Sequence, residues 1–225
     1  MPIFQSFLPE SLPKIWIWCI EETDDYFEQR LIELGFHPQK FTNPKRQSEY
    51  LASRFLLSEI FGMGFMNTMT ADEFGKLINV NATDCFSLSH SYPFTAVTQW
   101  DKSIGIDLQC YTEKIEAIAP RFLSNSEFNQ MVSPIENHFN KIQELTLLWN
   151  IKEAVYKAYG KKNIIFKNQI QILKQNTIFE AKLFLEHEIK YYQIQYKKET
   201  EFSWCVAYEK LFTLSVFMLL FFYTM

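Results

Sequence analysis

Three stretches in the last third of the chain carry a bulky side chain at every second position: Ile170/Ile172, Tyr192/Ile194/Tyr196 and Phe202/Trp204/Val206/Tyr208. A two-residue period turns one face of an extended segment to a core and the other to water, as antiparallel strands do. Ahead of them, Lys141–Tyr159 reads as a long helix, with Leu145, Leu148, Trp149, Ala154 and Val155 at helical spacing and Gly160 as its stop. The first half repeats the recipe. Ile15–Ile20 (IWIWCI) reads as a buried strand, and Thr23–Leu34 as a helix with Tyr26, Phe27, Leu31 and Leu34 on one side and Gly35 behind it. Asn43-Pro44 supplies an N-cap and a first-turn proline for a second helix, which is expected to end near Gly62. That helix turns Leu51, Phe55 and Ile60 inward and leaves Lys45, Arg46 and Arg54 outside. Cys85–Leu88 and Phe94–Trp100 read as adjacent strands flanking SHSYP, and Ser103–Leu108 as a short apolar run. Each half thus has strands and one long helix. The expected fold is α+β, with two similar lobes over 1–102 and 103–210, each a small antiparallel sheet with a long helix, and an apolar tail over 211–225.

Composition narrows the functions open to such a chain. Of 225 residues 48% are apolar and 22 are phenylalanine, enough for a packed core. Lys+Arg number 22 against Asp+Glu 26, a net charge of −4, so general nucleic-acid binding is disfavoured. Cys19, Cys85, Cys110 and Cys205 have no metal-ligand spacing and read as reduced core residues of a cytoplasmic protein. No HExxH or HxxxH involves His37, His90, His138 or His187, which excludes the usual zinc-hydrolase pattern. The N-terminus lacks the basic and long apolar stretches of a signal peptide. Residues 211–225 carry no charge. As a helix they would reach about 22 Å against roughly 30 Å of bilayer hydrocarbon. A docked or peripheral tail is therefore favoured over a true anchor, with membrane contact left open.

Three places can carry chemistry. Asp107 lies in the otherwise apolar IGIDLQ, where a carboxylate must be paired, hydrogen-bonded or metal-bound. A strand-end acid accepting backbone N–H bonds is the plainer explanation. Glu153 and Lys157 are four apart in WNIKEAVYKAYGKK and share a helix face with Lys152 one position round. Taken alone, these two are more simply explained as an ordinary exposed ion pair. Ser89-His90-Ser91 puts a hydroxyl and an imidazole at a strand-to-turn junction, suited to phosphate contact, though a structural turn histidine has the same look. Taken together with Arg46, Arg54 and Lys76, these residues suit a metal-assisted phosphate site, since magnesium takes carboxylate and phosphate oxygens and water. No P-loop or GxGxxG is present.

In order and separation, FSLSHS (86–91), IGIDLQ (104–109) and WNIKEAVYKAYGK (149–161) resemble the 4′-phosphopantetheinyl transferases of the surfactin-synthetase-activating type. RQSEYLASRFLL (46–57), DEFGKL (72–77, with Leu77 where the family has proline) and RFLSNSEF (121–128) match more weakly, and the likeness spans roughly 10–208. The resemblance implies two α+β lobes about a pseudo-twofold axis with coenzyme A in the cleft between them. It implies Mg2+-dependent transfer of 4′-phosphopantetheine from coenzyme A to a serine of an acyl or peptidyl carrier protein, releasing adenosine 3′,5′-bisphosphate. Carried over, Asp107 and Glu153 hold the metal, with Gln109 a weaker third ligand where many relatives carry an acid. Glu153 is the base or water-mediated base, Lys157 stabilises the breaking pyrophosphate, and Arg46, Lys76, Ser89, His90 and Lys152 contact coenzyme A. A cytoplasmic monomer is expected, with the tail as its one route to a membrane. The alternative is a non-catalytic module of the same fold that binds coenzyme A or a carrier protein, which Gln109 would favour.

Overall fold

The computed structural model of the chain describes residues 3–5 and 12–210. The first sheet is built from β1 (Ile3–Gln5), β2 (Lys14–Cys19), β5 (Cys85–Ser91) and β6 (Phe94–Trp100) in the order β1-β2-β6-β5, all antiparallel. Between β2 and β5 come α1 (Asp24–Glu33), α2 (Pro44–Met66) and a small hairpin of β3 (Met69–Ala71) and β4 (Leu77–Asn79). The second sheet, β7-β11-β10-β9-β8, uses β7 (Ile104–Cys110), β8 (Ile170–Gln175), β9 (Ile178–Phe184), β10 (Ile189–Lys198) and β11 (Phe202–Glu209). Its helices are α3 (Lys114–Phe122), α4 (Asn125–Met131), α5 (His138–Tyr159) and the single turn α6 (Phe166–Gln169). Both sheets share one wiring: a first strand, then helices, then a closing hairpin whose last strand lies against the first, β6 on β2 and β11 on β7. The α+β class and the repeated plan expected above are what the chain adopts.

Local chemistry explains the main boundaries. Thr23 Oγ1 accepts from the Tyr26 amide and opens α1, and Asn43 does the same for Arg46 at the head of α2, with Pro44 at its first position. Gly160, at φ +75°, closes α5 in the left-handed conformation that favours glycine. At Gly62 the chain leaves helical geometry (φ 75°, ψ 169°) as expected, but helical turns resume and α2 runs on to Met66. Ser89-His90-Ser91 is the end of β5 rather than a turn; the reversal is made by Tyr92-Pro93 alone. Among the cysteines, all with free thiols, Cys205 is buried but Cys85 is exposed, which corrects its assignment to the core.

Apolar side chains fill three layers. Trp16, Trp18 and Phe86 of the first sheet pack on Phe27, Leu51, Phe55 and Leu56 of α1 and α2. Cys205 and Ala207 of β11 face Leu148, Ile151 and Val155 of α5. Ile15, Ile17 and Ala96 meet Ile104, Ile106, Trp204 and Val206 between the sheets, where the rings of Phe94 and Phe202 lie 4.1 Å apart. A row of hydroxyls completes this junction: Ser87, Ser89 and Ser91 Oγ accept in turn from the amides of Ile106, Leu108 and Cys110, each 3.1 Å away. Alternate side chains of β5 thereby supply the acceptors that a neighbouring strand backbone would. Among the described residues no helix is long and apolar enough to cross a membrane, and the apolar run at 211–225 lies outside them.

Candidate active site

β7 and α5 cross more closely than two ordinary side-chain layers permit. A Cβ added to Gly105 would stand 2.1 Å from the Ala154 carbonyl oxygen and 2.4 Å from the Ala158 amide nitrogen. Glycine on β7 against two alanines on α5 is therefore a requirement of this approach. Because β7 alternates, Gly105, Asp107 and Gln109 share the face turned to α5, while Ile104, Ile106 and Leu108 go to the layer between the sheets. The sequence thus delivers a carboxylate from an apolar strand to the helix that carries Glu153 and Lys157.

The resulting cluster is densely bonded on one side and open on the other. Lys157 Nζ donates to Asp107 Oδ1 (2.7 Å), the Ile106 carbonyl (3.0 Å) and Ser89 Oγ (3.1 Å), which uses all three ammonium donors. The ion pair is thus between strand and helix, and the i,i+4 pair with Glu153 is not what Lys157 makes. Asp107 is 6% exposed, and its Oδ2 is a buried oxygen with no hydrogen-bond partner. Burial and the neighbouring negative charge of Asp107 push the Glu153 carboxyl up to about 7, with Lys157 pulling the other way. Two acids from distant segments therefore sit near enough to repel, beside one unsatisfied oxygen. That donor set fits a hard divalent cation, which would satisfy the orphan and relieve the repulsion. Gln109 donates its amide nitrogen to Ser91 Oγ (3.1 Å), leaving its oxygen as the atom able to ligate.

Beside the cluster opens a cleft of about 1360 Å³ lined by α2, the β3–β4 hairpin, β5 and the end of α5. Lys45, Arg46, Arg54, Lys76, Lys157, Lys161 and Lys162 line it, and Glu49 is the one acid among the lining residues. In a chain of net charge −4 this is a strong local excess of positive potential. Arg46 lies over the Phe41 ring (4.5 Å) and Arg54 over Tyr50 (4.8 Å), with the two rings edge-to-face at 5.1 Å. His90, at the rim, sets Nδ1 3.2 Å from Glu49 Oε2. Burial lowers its pKa, opposed by Glu49. Glu49 is itself fixed by the Tyr92 amide (3.0 Å).

Most of the residues singled out in the sequence converge here: Asp107, Glu153, Lys157 and Gln109 at the cluster, Arg46, Lys76 and His90 along the cleft. Two do not. Lys152 is 0% exposed and points away from the cleft, donating to Glu127 Oε2 (3.0 Å) and to the Phe166 and Ile170 carbonyls (3.2 and 2.7 Å). Its place one position round from Glu153 carries it into the core, where it ties α5 to α4 and β8, so it cannot serve as a coenzyme A contact. Ser89 is likewise turned inward and does not line the cleft. Lys76 reaches the cleft but spends a bond on the Lys157 carbonyl (2.8 Å), pinning the hairpin to the last turn of α5. Sequence reading passed over Glu49, although its spacing from Lys45 places both on one face of α2, and over the alternating hydroxyls of Ser87, Ser89 and Ser91.

Residues 103–210 match the family model described as the 4′-phosphopantetheinyl transferase superfamily. The chain is also 32% identical over 127 residues to the 4′-phosphopantetheinyl transferase gsp of Aneurinibacillus migulanus, an alignment covering 50% of this chain and 52% of the relative. The chain thus spans about half the length of the curated relative it matches. The matched segment holds β7 and α5, and with them Asp107, Glu153 and Lys157. Through this segment the chain is similar to the 4′-phosphopantetheinyl transferase superfamily.

Proposed function

We propose that the chain transfers 4′-phosphopantetheine from coenzyme A to a serine of an acyl or peptidyl carrier protein, with Mg2+, releasing adenosine 3′,5′-bisphosphate. The observation that carries this reading is the juxtaposition of a cation-lined cleft with two acids, one of which, Asp107, keeps a bare oxygen. A phosphate-rich nucleotide suits the cleft. Arg46, Lys76 and His90 offer charge and hydrogen bonds to phosphates, while the Phe41 and Tyr50 rings offer apolar faces to a heterocycle. Asp107 and Glu153 would hold magnesium, with the Gln109 oxygen as a weaker third ligand. When bound, the ion would supply charge neutralisation at the pyrophosphate oxygens.

The remaining chemistry is the chain's own. In transfer, the carrier serine oxygen forms a bond to phosphorus as the pyrophosphate P–O bond breaks, and the serine proton must leave. Glu153 would take that proton directly or through a water; its carboxyl stands at about 7 without the ion, and a bound cation would lower it, which favours the relay through water. Lys157 keeps a fixed positive charge at the cleft wall and holds Asp107 in place. Both sides of the cleft come from one chain, so a monomer suffices. Both acids are present and near each other, which supports the catalytic reading over the non-catalytic alternative.

Incubation with coenzyme A, Mg2+ and a panel of apo carrier proteins tests the proposal by intact-mass measurement. A gain of one phosphopantetheine on at least one carrier, absent for Glu153→Ala, supports it. Coenzyme A binding with every carrier unmodified would overturn it.

A further inference from the structure

Ser89 differs from its two neighbours in the hydroxyl row. Ser87 Oγ accepts from Ile106, and Ser91 Oγ from Cys110 and Gln109. Ser89 Oγ accepts from the Leu108 amide (3.1 Å) and from Lys157 Nζ (3.1 Å), and donates to Asp107 Oδ1 (2.9 Å). A hydroxyl has one donor and two acceptor sites, so its capacity is full. The group is 5% exposed and has nothing left for a substrate.

We propose that Ser89 is a positioning residue that sets which oxygen of Asp107 faces the site. The hydroxyl and the Lys157 ammonium both bind Oδ1, and they also bind each other, closing a triangle of 2.7, 2.9 and 3.1 Å sides. Oδ1 is thereby saturated and the carboxylate is fixed about its terminal torsion. Oδ2 is left as the acceptor with no partner. Without the hydroxyl, one anchor of Oδ1 is lost, the carboxylate can rotate, and Lys157 can follow either oxygen. The backbone of β7 reinforces the placement, because the Leu108 amide donates to Ser89 Oγ and fixes it to the strand that carries Asp107. This inference rests on the reading of Asp107 as a divalent-cation ligand and adds to it a residue that touches neither ion nor substrate.

The test compares the full chain with Ser89→Ala, Ser89→Thr, Ser89→Cys and Ser87→Ala. Readouts are thermal midpoint, direct Mn2+ binding by electron paramagnetic resonance, and the split of transfer kinetics between kcat and the KM for coenzyme A. Ser87→Ala removes a bond of the same row that involves neither Asp107 nor Lys157, so it is expected to lower the midpoint while Mn2+ binding is unchanged. Ser89→Ala is expected to weaken Mn2+ binding and lower kcat by about tenfold or more, as loss of a hydrogen bond to a charged group implies. The KM for coenzyme A should stay within about twofold of wild type, since the truncation removes no substrate contact. Ser89→Thr should restore Mn2+ binding, and Ser89→Cys, a weaker donor of similar size, should fall between. A rise confined to the KM for coenzyme A would make Ser89 a substrate contact and overturn the inference. Equal Mn2+ binding in wild type, Ser89→Ala and Ser89→Cys would overturn it too, as would equal losses in Ser87→Ala and Ser89→Ala. Should Ser89→Ala fail to fold, the Thr and Cys variants decide. Wild type that binds Mn2+ yet modifies no carrier removes the transferase reading while the Mn2+ series still judges Ser89; wild type that binds no Mn2+ removes both.

Discussion

Glu153 and Lys152 are consecutive, yet the helix sends them to opposite fates. Glu153 faces Asp107, where burial and the neighbouring charge raise its pKa to about 7. Glu153→Gln keeps the shape but removes the proton acceptor, so transfer should fall by about 10²–10⁴-fold with the thermal midpoint held or raised. Lys152 lies in the core with its ammonium on Glu127, whose oxygens also accept from the amides of Ser124 and Ile172. Lys152→Ala strands a buried carboxylate and should cost about 3–5 kcal/mol in denaturant unfolding. In whatever fraction remains folded, the KM for coenzyme A should match wild type; a raised KM at unchanged stability would restore Lys152 to the cleft. Spacing alone could not separate these two side chains. A helix periodicity says which residues share a face, but here α5 is buried on more than one face, and a lysine can be core when a carboxylate and carbonyls meet it.

At the scale of elements, β7 and α5 cross too closely for a side chain at Gly105. Gly105→Ala would drive a methyl group into the Ala154 and Ala158 backbone, and relief needs the helix to shift. The expected outcome is a loss of several kcal/mol in unfolding free energy, of the order seen for overpacking and beyond. A further hold on α5 lies at Glu144, which accepts from Lys174 of β8 (2.8 Å) and Lys198 of β10 (2.5 Å). Burial acts to raise its pKa, but the two lysines prevail and hold it below the usual carboxylate value. A depressed folded-state pKa gives stability that is present above the unfolded value and lost as pH falls through the folded one. The midpoint gap between wild type and Glu144→Gln should therefore be largest near neutral pH and shrink on acidification below the ordinary glutamate range. A gap that widens in acid would contradict the assignment. The elements themselves were legible: caps at Thr23 and Asn43, the stop at Gly160 and the two-residue periods of β8, β10 and β11 all mark what forms. The extent of β5 was not, because Ser89-His90-Ser91 has the composition of a turn, and only pairing with β6 and the hydroxyl row against β7 make it strand.

Over the whole molecule, two sheets of the same wiring meet through an apolar layer and a serine row that reaches Asp107 and Lys157, and the cleft opens where they join. Asp107 could be named from sequence because a carboxylate in an apolar strand is costly, whereas Glu153, Lys157, Arg46 and His90 are named through the resemblance of the motifs that hold them. The serine row, Glu49 and the inward turn of Lys152 could not, because each is defined by a partner far along the chain. The central physical claim is that Asp107 and Glu153 share one divalent ion beside the cleft. Crystals of the full chain with coenzyme A and Mn2+, measured for anomalous scattering, test it most directly. A single strong peak within ligand distance of Asp107 Oδ2 and the Glu153 carboxylate, and lost in Asp107→Ala, is the result expected. A peak elsewhere, or none at these two acids with coenzyme A bound in the cleft, would contradict it.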